Sequence, residues 1–62
     1  MGEKIQKLLD MHCMSWYKLA KELDIPESTV NSWKQGRRKP TLESLVKICE
    51  YFNITVAEFV DL

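Results

Sequence analysis

Residues 19–39 read LAKELDIPESTVNSWKQGRRK. Leu19, Ala20 and Leu23 form one apolar stripe, and the chain breaks at Asp24-Ile25. A second segment then opens at Pro26 and stops at Gly36. Setting residues 26–35 on a helix places Thr29, Val30 and Trp33 on one face, at the spacing of neighbouring turns. The opposite face carries Ser28, Asn31, Ser32 and Gln35, with Glu27 at its edge. Lys34, Arg37, Arg38 and Lys39 gather at the far end.

A solvated helix face ordinarily shows Lys and Glu, and that is the bland reading of this one. Short uncharged hydrogen-bonding groups suit a helix pressed against base edges in a major groove, where Asn and Gln pair bidentately with adenine. The four cations stand where flanking phosphates would lie. Together they point to a helix-turn-helix that binds double-stranded DNA through residues 26–35. Trp33 repeats with Val30 and so reads as core. Glu27 has two readings: an acid favoured by the helix N-terminus, or an acceptor for a cytosine amino group.

The rest of the chain reads as three more helices around this pair. Ile5, Leu8, Leu9 and His12 stripe a first helix over about Glu3 to Met11. Ser15 caps the second, whose stripe is Trp16, Leu19, Ala20 and Leu23. Asp24 occupies a turn that asks for a left-handed backbone, and Pro26 suits the first turn of the third helix. Gly36 closes that helix. Thr41 caps a fourth helix expected to bury Leu42, Leu45, Ile48, Cys49 and Phe52, and Asn53 ends it in the left-handed position. Thr55 to Glu58 spells a capping box for a short fifth helix with Val56 and Phe59 inward. No segment alternates as a strand does. Residues 1–62 therefore form one all-α domain, a compact five-helix bundle.

This pattern resembles the phage Cro/repressor-type, or xenobiotic-response-element-like, helix-turn-helix domains. The residues that carry it are LAKELDIPESTVNSW followed by KQGRRKPTLESLVKICEYFNITVAEF, over about residues 3 to 60. Ala20 stands at the small position where the two helices cross, and G-x-x-x-P-T-L-E-S-L joins the fourth helix as in the family. The resemblance implies a lambda-repressor-like bundle with the helix-turn-helix formed by helices 2 and 3. It also implies operator binding as a dimer and regulation of transcription. It places the start of the second helix, Ser15 and Trp16, near phosphates and Glu27 near bases. Asp24 replaces the usual turn glycine, while Trp16 and Glu27 stand where relatives often carry Gln. These departures bear on the target sequence.

Composition excludes more than it selects. Sixty-two residues with 45% hydrophobic content make one small globular domain. No apolar run approaches a membrane span. MGEKIQKLLD lacks a hydrophobic signal core, and Gln6 sits where a myristoylation signal needs Ser or Thr, so a cytoplasmic location is expected. Net charge is zero. Residues 1–39 nevertheless hold eight cations against five acids, and residues 40–62 one against four. The positive half is the one with the proposed reading helix, and local fields steer partners more than the total does.

Two rival functions stay open. A protein-interaction module, antitoxin-like or for oligomerisation, would explain the zero net charge, Glu27 and the aromatics Trp16 and Tyr17. A metal or thiol sensor would rest on His12, Cys13 and Cys49, whose spacing fits no ligand pair. No nucleophile–base constellation or phosphate loop suggests an enzyme, and nothing argues for a cofactor or a small-molecule ligand. Val56, Val60 and Leu62 leave apolar surface for a weak homodimer through the C-terminal region.

Overall fold

The computed structural model describes residues 2–62, which fold into five helices without strands. These are α1 (Gly2–Met11), α2 (Trp16–Glu22), α3 (Glu27–Lys34), α4 (Leu42–Tyr51) and α5 (Val56–Val60). The element order and count are those expected. The third helix is one residue shorter at each end than its apolar spacing suggested. Pro26, with ψ 139°, is the extended residue before it, and Gln35 is its C-cap.

Local chemistry fixes where each helix starts and stops. The side chains of Ser15, Thr41 and Thr55 accept from the N–H groups of Lys18, Ser44 and Glu58, and Glu58 returns the bond to the Thr55 N–H. Each satisfies donors that a helix start leaves unpaired. Four helices end in the same way. Cys13, Asp24, Gly36 and Asn53 have φ of 53°, 54°, 76° and 58°. The residue after each donates back across the last turn: Met14 to Leu9, Ile25 to Ala20, Arg37 to Ser32, Ile54 to Cys49. This double-bonded closure turns the chain sharply and satisfies the last carbonyls. Three of the four following residues, Met14, Ile25 and Ile54, then pack against the core.

The core is one apolar cluster drawn from all five helices: Ile5, Leu8 and Leu9 of α1, Leu19 and Ala20 of α2, Val30 and Trp33 of α3, Ile48 and Cys49 of α4, and Phe59 of α5. Two of the inward residues inferred from spacing lie elsewhere. Leu42 is 73% exposed. It shares the spacing of Leu45 and Ile48 but is the first residue of α4, so its stripe runs past the packed body. His12 is also exposed; its ring leans on Phe52, 4.6 Å between centroids, while Nδ1 lies 3.0 Å from the Leu8 carbonyl. Val56 and Leu62 are half-buried against the core, which leaves Val60 as the large exposed apolar residue of α5.

α2 and α3 pack directly on one another, and α3 also rests on α1. Ala20, buried to 2% exposure, lets the first two of these approach. A larger side chain there would push the helices apart, so the spacing of the whole helix-turn-helix depends on that one small residue. Lys4 ties the other end together by donating from Nζ to the Val60 carbonyl, linking α1 to the last turn of α5.

Candidate nucleic-acid interface

α3 is held by its apolar side, with Val30 and Trp33 almost fully buried and Thr29 half-buried. About 100° per residue then sets the rest of its surface. Ser28 and Gln35 lie at the centre of the outward face and are exposed, as are Asn31 and Glu27 to one side. Ser32 lies at the other edge, half-buried, and its hydroxyl donates to the Ser28 carbonyl at 3.0 Å. That bond occupies its proton and leaves its oxygen as an acceptor only, so Ser32 is less outward than its spacing from Ser28 suggested.

Glu27, Asn31 and Lys34 form a row of their own. With Tyr17, Trp16 and Ser15 at the start of α2 they line a concavity of about 500 Å³ between the two helices. Met14 and the almost fully buried Ala20 and Val30 also border it. The row runs from acid to amide to cation along one side of α3. This grouping is invisible in a linear reading, because it depends on how α2 crosses α3.

Trp16 is 8% exposed. Its indole N–H donates to Gln6 Oε1 at 2.7 Å, and Gln6 in turn donates from Nε2 to Asp10 Oδ1 at 2.9 Å. The aromatic is thus pinned to α1 and its one donor is engaged. The sequence carries no sign of this role for Gln6, since nothing in its spacing reveals a partner ten positions away. Ser15 is exposed at the rim with its hydroxyl accepting from Lys18 N.

Arg37, Arg38 and Lys39 are all exposed in the loop that follows Gly36. The left-handed backbone of Gly36 reverses the chain there, and the Arg37 N–H returns to the Ser32 carbonyl at 2.9 Å. The cations therefore leave from the C-terminal end of α3, where positive charge also complements the helix dipole. Lys34 stands apart from them, lining the concavity.

Cysteine chemistry is separate from this surface. Cys13 is exposed, and Cys49 is buried in α4, where burial pushes its thiol pKa up from the ordinary value. Among the described residues, no three His, Cys, Asp or Glu side chains come together as a metal would require. No described helix is long and apolar enough to cross a membrane.

Comparison with known proteins agrees with the geometry. Residues 4–62 match the Cro/C1-type HTH DNA-binding domain, and the chain belongs to that family. It is similar to the HTH-type transcriptional activator BcrR of Enterococcus faecalis, with 30% identity over 57 residues. That match covers 92% of this chain but 28% of the relative, so the chain spans under a third of that protein's length. No solved structure matches it.

Proposed function

We propose that this chain is a sequence-specific DNA-binding transcription regulator, a repressor acting in the cytoplasm on a palindromic operator. The observation that carries the reading is the pairing of two surfaces on α3. Its outward side offers exposed uncharged hydrogen-bonding groups, and its C-terminal end releases three exposed cations. Glu27, Ser28, Asn31, Ser32 and Gln35 read bases. Lys34, Arg37, Arg38 and Lys39 hold phosphates, with Ser15 and the main chain of Trp16, whose indole N–H is already engaged by Gln6, adding contacts to the DNA backbone at the start of α2. Phosphate contacts fix the register of the protein, and base-edge contacts select the sequence.

Size supports a two-fold partner. The body measures 26 × 21 × 18 Å. Two successive major-groove faces lie about 34 Å apart, so one copy presents one helix to one half-site. A homodimer, through Val60 and its neighbours near the C-terminus, would place two such helices on a palindrome. The domain acts by binding and not by catalysis, and takes no cofactor.

The test is a gel shift with duplex from upstream of the protein's own gene against an unrelated duplex. A preference of about a thousandfold or more at physiological salt supports the reading. Equal, salt-insensitive binding to both, or none, would transfer the fold to the protein-interaction alternative.

A further inference from the structure

We infer that Gln6, on α1, is a positioning residue for base selection. By engaging the Trp16 indole it keeps that donor away from Glu27 and Asn31, which stay free to read bases. The inference rests on the DNA-binding reading and adds a residue that lies outside the helix-turn-helix.

Three observations lead there. The Trp16 indole N–H donates to Gln6 Oε1 at 2.7 Å while Gln6 Nε2 donates to Asp10 Oδ1 at 2.9 Å. An indole N–H only donates and a carboxylate only accepts, so a single orientation of the Gln6 amide serves both. Next, Gln6, Trp16 and Lys34 border both the α2–α3 concavity and a second hollow of about 370 Å³, whose remaining lining is Gly2 and Glu3. The bonded pair therefore stands between the two, beside Lys34. Finally, α3 packs on both α2 and α1, and the Gln6–Trp16 bond ties α1 to α2 directly.

What the bond prevents follows from the chemistry of the concavity. Trp16 is 8% exposed, and an indole donor left unpaired there costs stability until it finds an acceptor. The Glu27 carboxylate and the Asn31 amide oxygen line the same concavity. Without Gln6 the ring turns toward them, and the one it reaches loses acceptor capacity for a cytosine or adenine amino group. The bulk of the ring also enters the space beside the reading row. Gln6 thus acts through Trp16 and touches no base itself. Its effect falls on selectivity, because base-edge contacts select the sequence and phosphate contacts do not. Its residue type matters: Glu would keep the acceptor and lose the donor, and Met would lose both.

The experiment measures the ratio of operator to random-duplex affinity for Gln6→Met, Gln6→Glu, Trp16→Phe and the Gln6→Met/Trp16→Phe double variant. Circular dichroism melting shows that each is folded. Gln6→Met is expected to lower the ratio by about tenfold. One of the two tryptophan indole N–H resonances should shift in that variant and exchange faster with solvent. Gln6→Glu still accepts from the indole; its added charge weakens both duplexes, and the ratio is expected to stay near that of the parent. In the Trp16→Phe background no indole donor remains, so adding Gln6→Met is expected to change the ratio no further. A parent-like ratio in folded Gln6→Met, or an equal loss on both duplexes, overturns this inference and leaves the DNA reading intact. So does a tenfold loss of ratio in the Trp16→Phe background, which would show that Gln6 does not act through the indole. Should Gln6→Met fail to fold, Gln6→Glu decides, and a lowered ratio there overturns the assignment. Failure of the parent to bind any duplex removes the DNA reading and this inference together.

Discussion

The α-carbon of Gly2 rests against the carbonyl oxygen of Trp33, so close that a Cβ added there would lie 2.6 Å from that oxygen. This is how the first turn of α1 sits on the last turn of α3. It gives α3 a backbone support at the end where the cations leave. Helix propensity alone argues that Gly2→Ala should stabilise α1 by up to about 1 kcal/mol. The contact argues the opposite, because the neighbour is backbone and cannot swing aside. Gly2→Ala is expected to lower the melting temperature by several degrees, as a loss of about 1 kcal/mol shifts a domain of this size by roughly 4–8 °C. A raised melting temperature would mean the first turn simply frays away from Trp33.

The left-handed closures rank by side chain. Asn tolerates this backbone best, and an ordinary residue in it costs about 1–2 kcal/mol. Cys13, with φ 53°, has no polar side chain suited to it, whereas Asn53, with φ 58°, does. Cys13→Gly is therefore expected to raise stability by about 1 kcal/mol and Asn53→Gly by little. Asp24→Gly should fall between them. Chemical denaturation of the three variants checks the order; a larger gain at Asn53 than at Cys13 would contradict the account.

Cys49 fills a small buried space in α4, and its desolvated thiol resists ionisation. Its folded pKa is raised above the unfolded one. The stability this contributes is present below the ordinary thiol range and is lost as pH rises through the folded value. Between neutral pH and strongly alkaline solution the protein is expected to lose stability, and Cys49→Ala to lose less over the same window. At neutral pH the substitution should cost about 1 kcal/mol of stability and leave DNA affinity unchanged. In the folded protein a thiol reagent should label Cys13 promptly and Cys49 only on unfolding. Equal labelling rates, or a folded Cys49→Ala that no longer binds its operator, would return the thiol to a functional role.

What could be read in the sequence was what neighbours along the chain decide. Ser15, Thr41 and the Thr55–Glu58 pair cap their helices as their spacing says, and Asp24, Gly36 and Asn53 hold the left-handed backbone expected of them. Contacts between distant residues were not legible. The Gln6–Trp16 bond, the Lys4–Val60 bond and the Gly2–Trp33 approach all join α1 to another element, and no periodicity in α1 names its partners. Leu42 shows the opposite error, since its spacing is correct and only the extent of the packed body leaves it outside. The outward residues of α3 were found because the apolar side is unambiguous. Their division into a central pair and a row facing the concavity needed the crossing of α2.

Salt dependence and self-association belong together. If each copy holds about three phosphates, a dimer displaces counterions from about six, and log K should fall against log salt with a slope near −5. Sedimentation should show a weak dimer that tightens on a palindromic duplex. A flat salt response would exclude the cationic loop as a phosphate clamp, and a strict monomer both free and on DNA would end the dimer proposal.

Reading and clamping separate at Asn31 and Arg37. Asn31 is exposed on α3 and beside the concavity, and outside the buried set that holds the helix. Asn31→Ala should leave the melting temperature nearly unchanged, yet cost about 1–3 kcal/mol at one operator position and relax the preference there. Arg37 is exposed in the loop beyond Gly36, where the proposed role is to hold a phosphate. Arg37→Ala should weaken binding to all sequences about equally and reduce the salt slope by about one. A selection of bound sequences from a randomised pool, run on the parent and both variants, distinguishes the two effects. The Asn31 variant should return a site degenerate at one symmetric position, and the Arg37 variant the parental site at lower yield. Should both variants bind every duplex as the parent does, α3 would be no reading helix, and its polar face would be solvent surface on an interaction module.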